Sequence, residues 1–208
     1  WWAGPASTHL LALMGAEVIK VEPPHTGERV RNIFKIRGTE ESYPYLMLNS
    51  NKKGITLNLK TERGRELLKE LAKQSDVIVE NFTPRVMRGW GLDYPNMKLI
   101  NPNIVMVSNT GYGRGGPYST YPAQATTQEA THGLAAVTGY RGGEPSKAGQ
   151  SYVDFLAAWA CASAALLGLR YRRRFGRGLW ADIGMYQLGC YNVSEYILDS
   201  IANGAPGE

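Results

Sequence analysis

Soft and borderline metal ligands are scarce in this chain: two cysteines and three histidines in 208 residues. Cys161 and Cys190 lie in separate apolar, helix-like stretches with no CxxC spacing. They therefore read as reduced structural thiols rather than as a disulfide, a metal site or a nucleophile. His9, His25 and His132 are scattered, none with a second ligand at metal-binding spacing, so no metal or redox cofactor is expected. Long apolar runs are also missing: none approaches the roughly 20 residues of a membrane span. The opening WWAGPASTHLLALMGAEV has neither the basic region nor the cleavage site of a signal peptide. The expectation is a soluble, cytoplasmic globular protein with no membrane partner. An initiating methionine is absent, and the final ANGAPGE stops in loop chemistry after the helix-like SEYILDSIAN. Both ends read as cut. Internal repeats and low-complexity segments are lacking as well.

What is present is enough apolar residue for a core, 43% against 20% charged, and a net charge of +5 that favours an anionic partner. Arg170, Arg172, Arg173, Arg174 and Arg177 form a basic cluster. Its place at the end of an alanine-rich helix is explained by the helix dipole and solvation, and no nucleic-acid module accompanies it, so nucleic acid is not expected as a partner.

Helix and strand patterns alternate along the chain. Pro5 to Met14 reads as a helix closed by Gly15, and Glu17 to Val21 as a strand. A polar loop from Glu22 to about Glu41 precedes a strand over Ile55 to Leu59. Arg65 to Gln74 is a helix with a Leu67, Leu68, Leu71 stripe, Val77 to Val79 a short buried strand, Pro84 to Trp90 a short helix and Ile104 to Val107 a further strand. This alternation predicts an α/β fold with a mostly parallel sheet covered by helices on both faces. Ligands in such folds bind beyond the carboxyl ends of the strands, where VENFTP and VSNTGYGRGG carry polar residues. GYGRGG fits G-x-G-x-x-G, but PYSTYP breaks the chain where a pyrophosphate-binding helix would have to start. A close-approach loop needing positive φ is the better reading.

Asp154 opens the longest helix-compatible stretch, DFLAAWACASAALLGLRYRRRFGRG, behind a glycine-rich run. A carboxylate at a helix N-terminus stays ionised and available for chemistry. Aspartate is also a preferred N-cap for purely structural reasons. Position alone leaves both roles open.

Taken in order, AGPASTHLLALMGAEVIKVE, LNSNKKGITLNLKTERGRELLKELAKQSDVIVENFTP, GLDYP, NPNIVMVSNTGYGRGGPY and YVDFLAAWACASAALLGLRYRRRFGRGLWADIGMYQ resemble the family III CoA-transferases. That family includes formyl-CoA transferase, carnitine CoA-transferase and α-methylacyl-CoA racemase. The resemblance covers nearly the whole chain with motif order and spacing preserved. It implies a Rossmann-like large domain over residues 1–208, truncated at both ends and lacking the small domain, and an intertwined homodimer in the complete protein. It implies coenzyme A and acyl-CoA as substrates, exchanged with a carboxylic acid.

The resemblance places the family's catalytic aspartate on Asp154. Ala157, Ala158, Ala160, Ala164 and Ala165, then Arg172, Gly176 and Gly178, carry the small-residue helix and R-x-x-x-G-x-G ending that follow it. Ala3, Leu57, Lys60, Asn81 and Phe82 stand where the family lines its nucleotide site, and Lys60 suits a phosphate as a point charge. Two positions depart from the pattern. Pro23 stands where some transferases have arginine, and Arg88 is one place from a family arginine whose matching position holds Gly89. Gln124 stands at about the place of a racemase histidine. Glutamine transfers no proton at neutral pH, which favours a transferase over an acyl-CoA racemase or epimerase. His132 lies eight places later.

Overall fold

The computed structural model describes residues 2–204. Nine helices, one short 3-10 turn and five strands are found among them. The Trp1 end and the last four residues of ANGAPGE lie outside the described residues. The first unit is helix α1 (Ala3–Leu13) followed by strand β1 (Ile19–Glu22). Proline is tolerated in a first helical turn, and Gly15 at φ +96° lets the chain leave α1, as the sequence implied. Strand β1 pairs in parallel with β2 (Lys53–Thr56), with Ile19 opposite Lys53 and Glu22 opposite Thr56. The second strand thus lies two to three residues earlier than the Ile55 to Leu59 alternation predicted. Its four residues are all exposed, so burial does not impose the register that an alternating pattern encodes.

The loop expected between Glu22 and Glu41 contains a 3-10 turn, Arg29–Asn32, whose Val30 is fully buried. Helix α2 (Tyr43–Asn49), capped by Ser42 Oγ accepting the Tyr45 N–H, was hidden because seven residues with an internal proline show no helical period. Lys52 then ties α1 to α2: its Nζ donates to Pro5 O at 2.7 Å, Thr8 Oγ1 at 3.0 Å and Asn49 Oδ1 at 3.1 Å.

A second sheet forms the core. Helix α3 (Glu62–Lys73), capped by Thr61 Oγ1, leads to β3 (Val77–Glu80). Helices α4 (Pro84–Gly89) and α5 (Tyr94–Ile100) precede β4 (Val105–Thr110), which is buried along its whole length. After helix α6 (Ala125–Thr131) comes α7 (Tyr152–Phe175), then β5 (Trp180–Gly184), α8 (Met185–Asn192) and α9 (Ser194–Asn203). The order β3-β4-β5 is parallel throughout. A central parallel strand buried on both sides reads as an apolar run, which is why β4 was visible in the sequence while α5 and α6 were not.

Helix α7 starts two residues before Asp154. It is long and apolar enough by length and composition to cross a membrane, contrary to the expectation above. Part of that apolar content goes into packing: Cys161, Ala162 and Ala165 share a buried cluster with Leu11 of α1 and with Val105 and Val107 of β4, while Trp159, Leu166 and Leu167 are exposed. Burial pushes the Cys161 thiol up to about 12, and both cysteines are free. At the far end, Gly176 at φ +66° closes α7, and Arg172 donates to Asp76 at 2.7 Å. The basic cluster therefore ends a helix, as the dipole argument required.

Two glycines after α7 are required for different reasons. A Cβ on Gly178 would lie 2.0 Å from the Ile104 carbonyl oxygen, whereas one on Gly176 meets nothing within 4 Å. Gly176→Ala should therefore cost only the left-handed backbone penalty, about 1–2 kcal/mol. Gly178→Ala must displace backbone and should cost more, roughly 3 kcal/mol or above. Urea unfolding of the two variants checks the order, and equal losses would contradict it.

Candidate functional site

The carboxyl ends of β3, β4 and β5 deliver residues to one cleft of about 580 Å³. Asn81 and Phe82 follow β3, Thr110 and Gly111 end β4, and Met185 follows β5. Trp2, at the start of α1, closes one side, and Gln150, Ser151 and Asp154, at the start of α7, close another. Among the described lining residues Asp154 is the only carboxyl group, and no lysine, arginine or histidine accompanies it.

Asp154 is the third residue of α7, so it does not cap the helix; Ser151 occupies that position. Burial in the wall of the cleft pushes the Asp154 carboxyl up to about 6. The Ala3 N–H, an orphan donor at the start of α1, opposes this by bonding the ionised form, and the buried Glu129 adds to the rise by like-charge repulsion. The carboxylate thus sits at the N-terminal ends of two helices at once, where dipoles and free N–H groups favour negative charge. A Cβ on Gly4 would lie 2.8 Å from Asn81 Oδ1, so the start of α1 is pressed against the residue that follows β3.

Local conformation around the cleft is unusual. Four described non-glycine residues have left-handed φ, and two of them, Phe34 at +49° and Ser151 at +57°, line the cleft. Such strain gathers at binding sites because surrounding packing must hold it. The GYGRGG loop has the predicted close-approach geometry. Gly113 and Gly116 have φ of +79° and +93°, and a Cβ on Gly111 would meet Ala123 Cβ at 2.1 Å. No helix follows until Ala125, in agreement with rejecting a dinucleotide fingerprint.

The structure brings Asp154, Asn81, Phe82 and Gln124 together around this cleft. Gln124 also precedes α6, where its N–H donates to Thr127 Oγ1 at 3.1 Å. Ala3 is buried behind the wall and reaches the site through its N–H. Leu57 follows β2, with its N–H bonded to Glu22 O at 2.9 Å, while Lys60 and Arg88 are exposed; none of the three lines the cleft. Glu129 and Asp182 do not line it either. Glu129 Oε2 accepts the Ala148 N–H at 3.0 Å. His132 is buried against α8, where a Cβ on Gly189 would meet its ring at 2.1 Å, and burial pushes its pKa down.

Sequence reasoning missed the apolar wall made by Trp2, Ile33, Phe34 and Met185. The apolar pair Ile33-Phe34 inside an otherwise charged loop was the available signal. Also missed was a buried ion pair behind the cleft. Arg114 donates to Glu80, whose Oε2 accepts the Phe82 N–H at 2.9 Å.

Similarity to known proteins runs the length of the chain. The family model described as CoA-transferase family III matches residues 1–208. A succinyl-CoA–D-citramalate CoA-transferase of Chloroflexus aurantiacus is 39% identical over 185 residues, 89% of this chain and 46% of that protein. A formyl-CoA:oxalate CoA-transferase of Streptomyces coelicolor is 38% identical over 88% of this chain and 44% of its own length. A CAIB/BAIF family protein from Brucella suis superposes with a TM-score of 0.90 at 30% identity, over 98% of this chain and 55% of that one. The chain spans a little under half the length of these curated relatives.

The acidity of Asp154 has a consequence for stability. Its folded pKa, about 6, lies above the ordinary value of 3.8. Between those values the unfolded chain ionises first, so stability falls as pH rises from about 4 to 6, and the full penalty persists above 6. Asp154→Asn removes the penalty and should stabilise the fold on the order of 3 kcal/mol at pH 7, with no gain below about pH 4. Thermal melts of both proteins across that range test this. A gain independent of pH would show that Asp154 is not strained by its charge.

Proposed function

The chain belongs to CoA-transferase family III, and we propose that the protein moves CoA from an acyl-CoA thioester to a free carboxylic acid through an aspartyl-CoA thioester on Asp154. The observation that carries this reading is the single carboxyl group in the described cleft wall, set at two helix N-termini. At pH 7 a group with a pKa of about 6 is roughly nine-tenths ionised, yet more basic than an ordinary aspartate. Both properties favour nucleophilic attack.

In this mechanism an Asp154 carboxylate oxygen attacks the thioester carbonyl. The C–S bond breaks, CoA thiolate leaves and a mixed anhydride remains. The thiolate attacks the aspartyl carbonyl, releasing the donor acid as its carboxylate and forming the aspartyl-CoA thioester. The acceptor carboxylate attacks that thioester and again expels thiolate, which then attacks the acceptor's acyl carbonyl. Product acyl-CoA leaves and Asp154 returns as carboxylate. One anion replaces another at every step, so no net proton is taken up or released. N–H groups in the first turn of α7 are suited to the oxyanions that form, and orientation supplies much of the remaining rate.

Asn81 and Phe82 on this reading border the CoA moiety at the cleft, while Lys60 and Arg88 reach the CoA phosphates at most from its outer edge. Gln124 contacts substrate rather than transferring protons. A racemase or epimerase needs acid and base groups flanking the substrate α-carbon. Gln124 cannot serve, and His132 is turned into the packing under α8, which supports transfer. Residues 1–208 correspond on the same reading to the large domain of the enzyme, working as a homodimer in the cytoplasm.

Asp154→Asn in the complete enzyme should fold and lose CoA transfer by several orders of magnitude, since the anionic nucleophile is gone. Incubation of the unmodified enzyme with acyl-CoA and then hydroxylamine should label Asp154, read by peptide mass spectrometry. Transfer should increase as pH rises through about 6, in step with ionisation of Asp154. Wild-type turnover in the variant, or a label confined to Glu129 or Asp182, would overturn the assignment.

A further inference from the structure

Behind the cleft lies a charged cluster that the transfer chemistry does not use. Arg114 sits in the glycine loop between Gly113 and Gly115, yet its side chain is only 11% exposed. Its Nη2 donates to Glu80 Oε1, and its Nη1 lies 3.5 Å from the Pro84 carbonyl oxygen. Its own backbone N–H donates to Asp182 Oδ2 at 2.7 Å. Nε is buried without a hydrogen-bond partner, 3.9 Å from Asp182 Oδ1. Trp180 covers the guanidinium, 5.4 Å from its ring centre, and fixes Ser108 by donating to its Oγ at 3.0 Å. Ser108 in turn bonds Glu80.

Three strands are therefore joined: β3 through Glu80, its last residue, β4 through Ser108 and the loop after it, and β5 through Asp182 and its first residue, Trp180. Burying an ion pair this fully is weak evidence for stability, because desolvation offsets much of the attraction. Its placement gives it a second role. Glu80 immediately precedes Asn81, and its other oxygen holds the Phe82 N–H, while Nη1 of Arg114 points at Pro84, which lines the cleft.

The geometry points to Arg114 as a positioning residue: through Glu80 and Pro84 it clamps the 81–84 segment, and with it the edge of the cleft that receives the CoA thioester. This rests on the proposed CoA site for the identity of the ligand, though not for the clamp. Arg114 does not line the cleft and acts only through the groups it holds.

Two readouts on the complete enzyme separate the clamp from the ligand assignment. Hydrogen exchange of the 80–84 segment without ligand should speed up in Arg114→Met. Free coenzyme A binding, measured by calorimetry, should weaken on the order of tenfold to a hundredfold in the same variant, the usual scale of misplacement at a site. Because a lone buried Glu80 threatens folding, the double variant Glu80→Gln, Arg114→Met removes both charges. Its melting temperature should return toward wild type while CoA affinity stays low. Arg114→Lys, which keeps the charge but loses the planar fork, should also bind CoA weakly. Exchange at 80–84 unchanged in Arg114→Met, or CoA affinity restored along with melting temperature in the double variant, would overturn the proposal. Wild-type protein that fails to bind CoA, with exchange still accelerated in Arg114→Met, would refute the CoA assignment and uphold the clamp.

Discussion

Holding one carboxylate between the starts of two helices is the constraint on which the rest of this architecture depends. Asp154 would be an ordinary aspartate if it lay in water and a neutral acid if it were fully sealed in apolar surroundings. Burial is the dominant effect and pushes its pKa up to about 6, and the Ala3 N–H is one of the groups that oppose the rise. That balance requires α1 and α7 to lie close together. They do so through small residues: Ala3 clusters with Val153 and Ala157, and Ala6 with Ala158. Larger side chains along either helix would open the gap, and the N–H would no longer reach.

The sheet supplies the other half of the arrangement. Parallel strands all end on the same side, so β3, β4 and β5 present their following residues to one place without further design. The loops must then approach one another more closely than side chains usually permit. Gly4 against Asn81 and Gly111 against Ala123 mark the contacts where a methyl group would collide. The buried pair Glu80 and Arg114 lies directly beneath, so its electrostatics and the shape of the cleft edge are parts of one local structure.

Much of this was legible in the sequence, for identifiable reasons. Apolar runs buried on both sides, such as Val77 to Val79 and Ile104 to Val107, announce central parallel strands, and a long helix closed by arginines and a glycine announces α7. The α/β class and the side on which the cleft lies could be reached that way, whereas the meeting of Asp154 with Asn81 and Phe82 was implied by the resemblance to the family III CoA-transferases. Three short helices could not, because α2, α5 and α6 have seven residues each and too few turns to establish a period. The identity of the Ser151 cap was equally hidden: aspartate and serine cap about equally well, and nothing in the letters shows that Ser151 adopts a left-handed backbone. Pairings distant in sequence, such as Arg114 with Glu80 or Asp154 with Ala3, depend on topology and are not encoded in any local window.

The seam of small residues between α1 and α7 also behaves as the spacing in a capacitor. Charge on Asp154 is stabilised according to its distance from the positive end of α1, and that distance is set by side-chain volume all along the contact, down to Leu11 and Cys161. Changes of size several turns from the cleft are therefore transduced into changes of acidity within it.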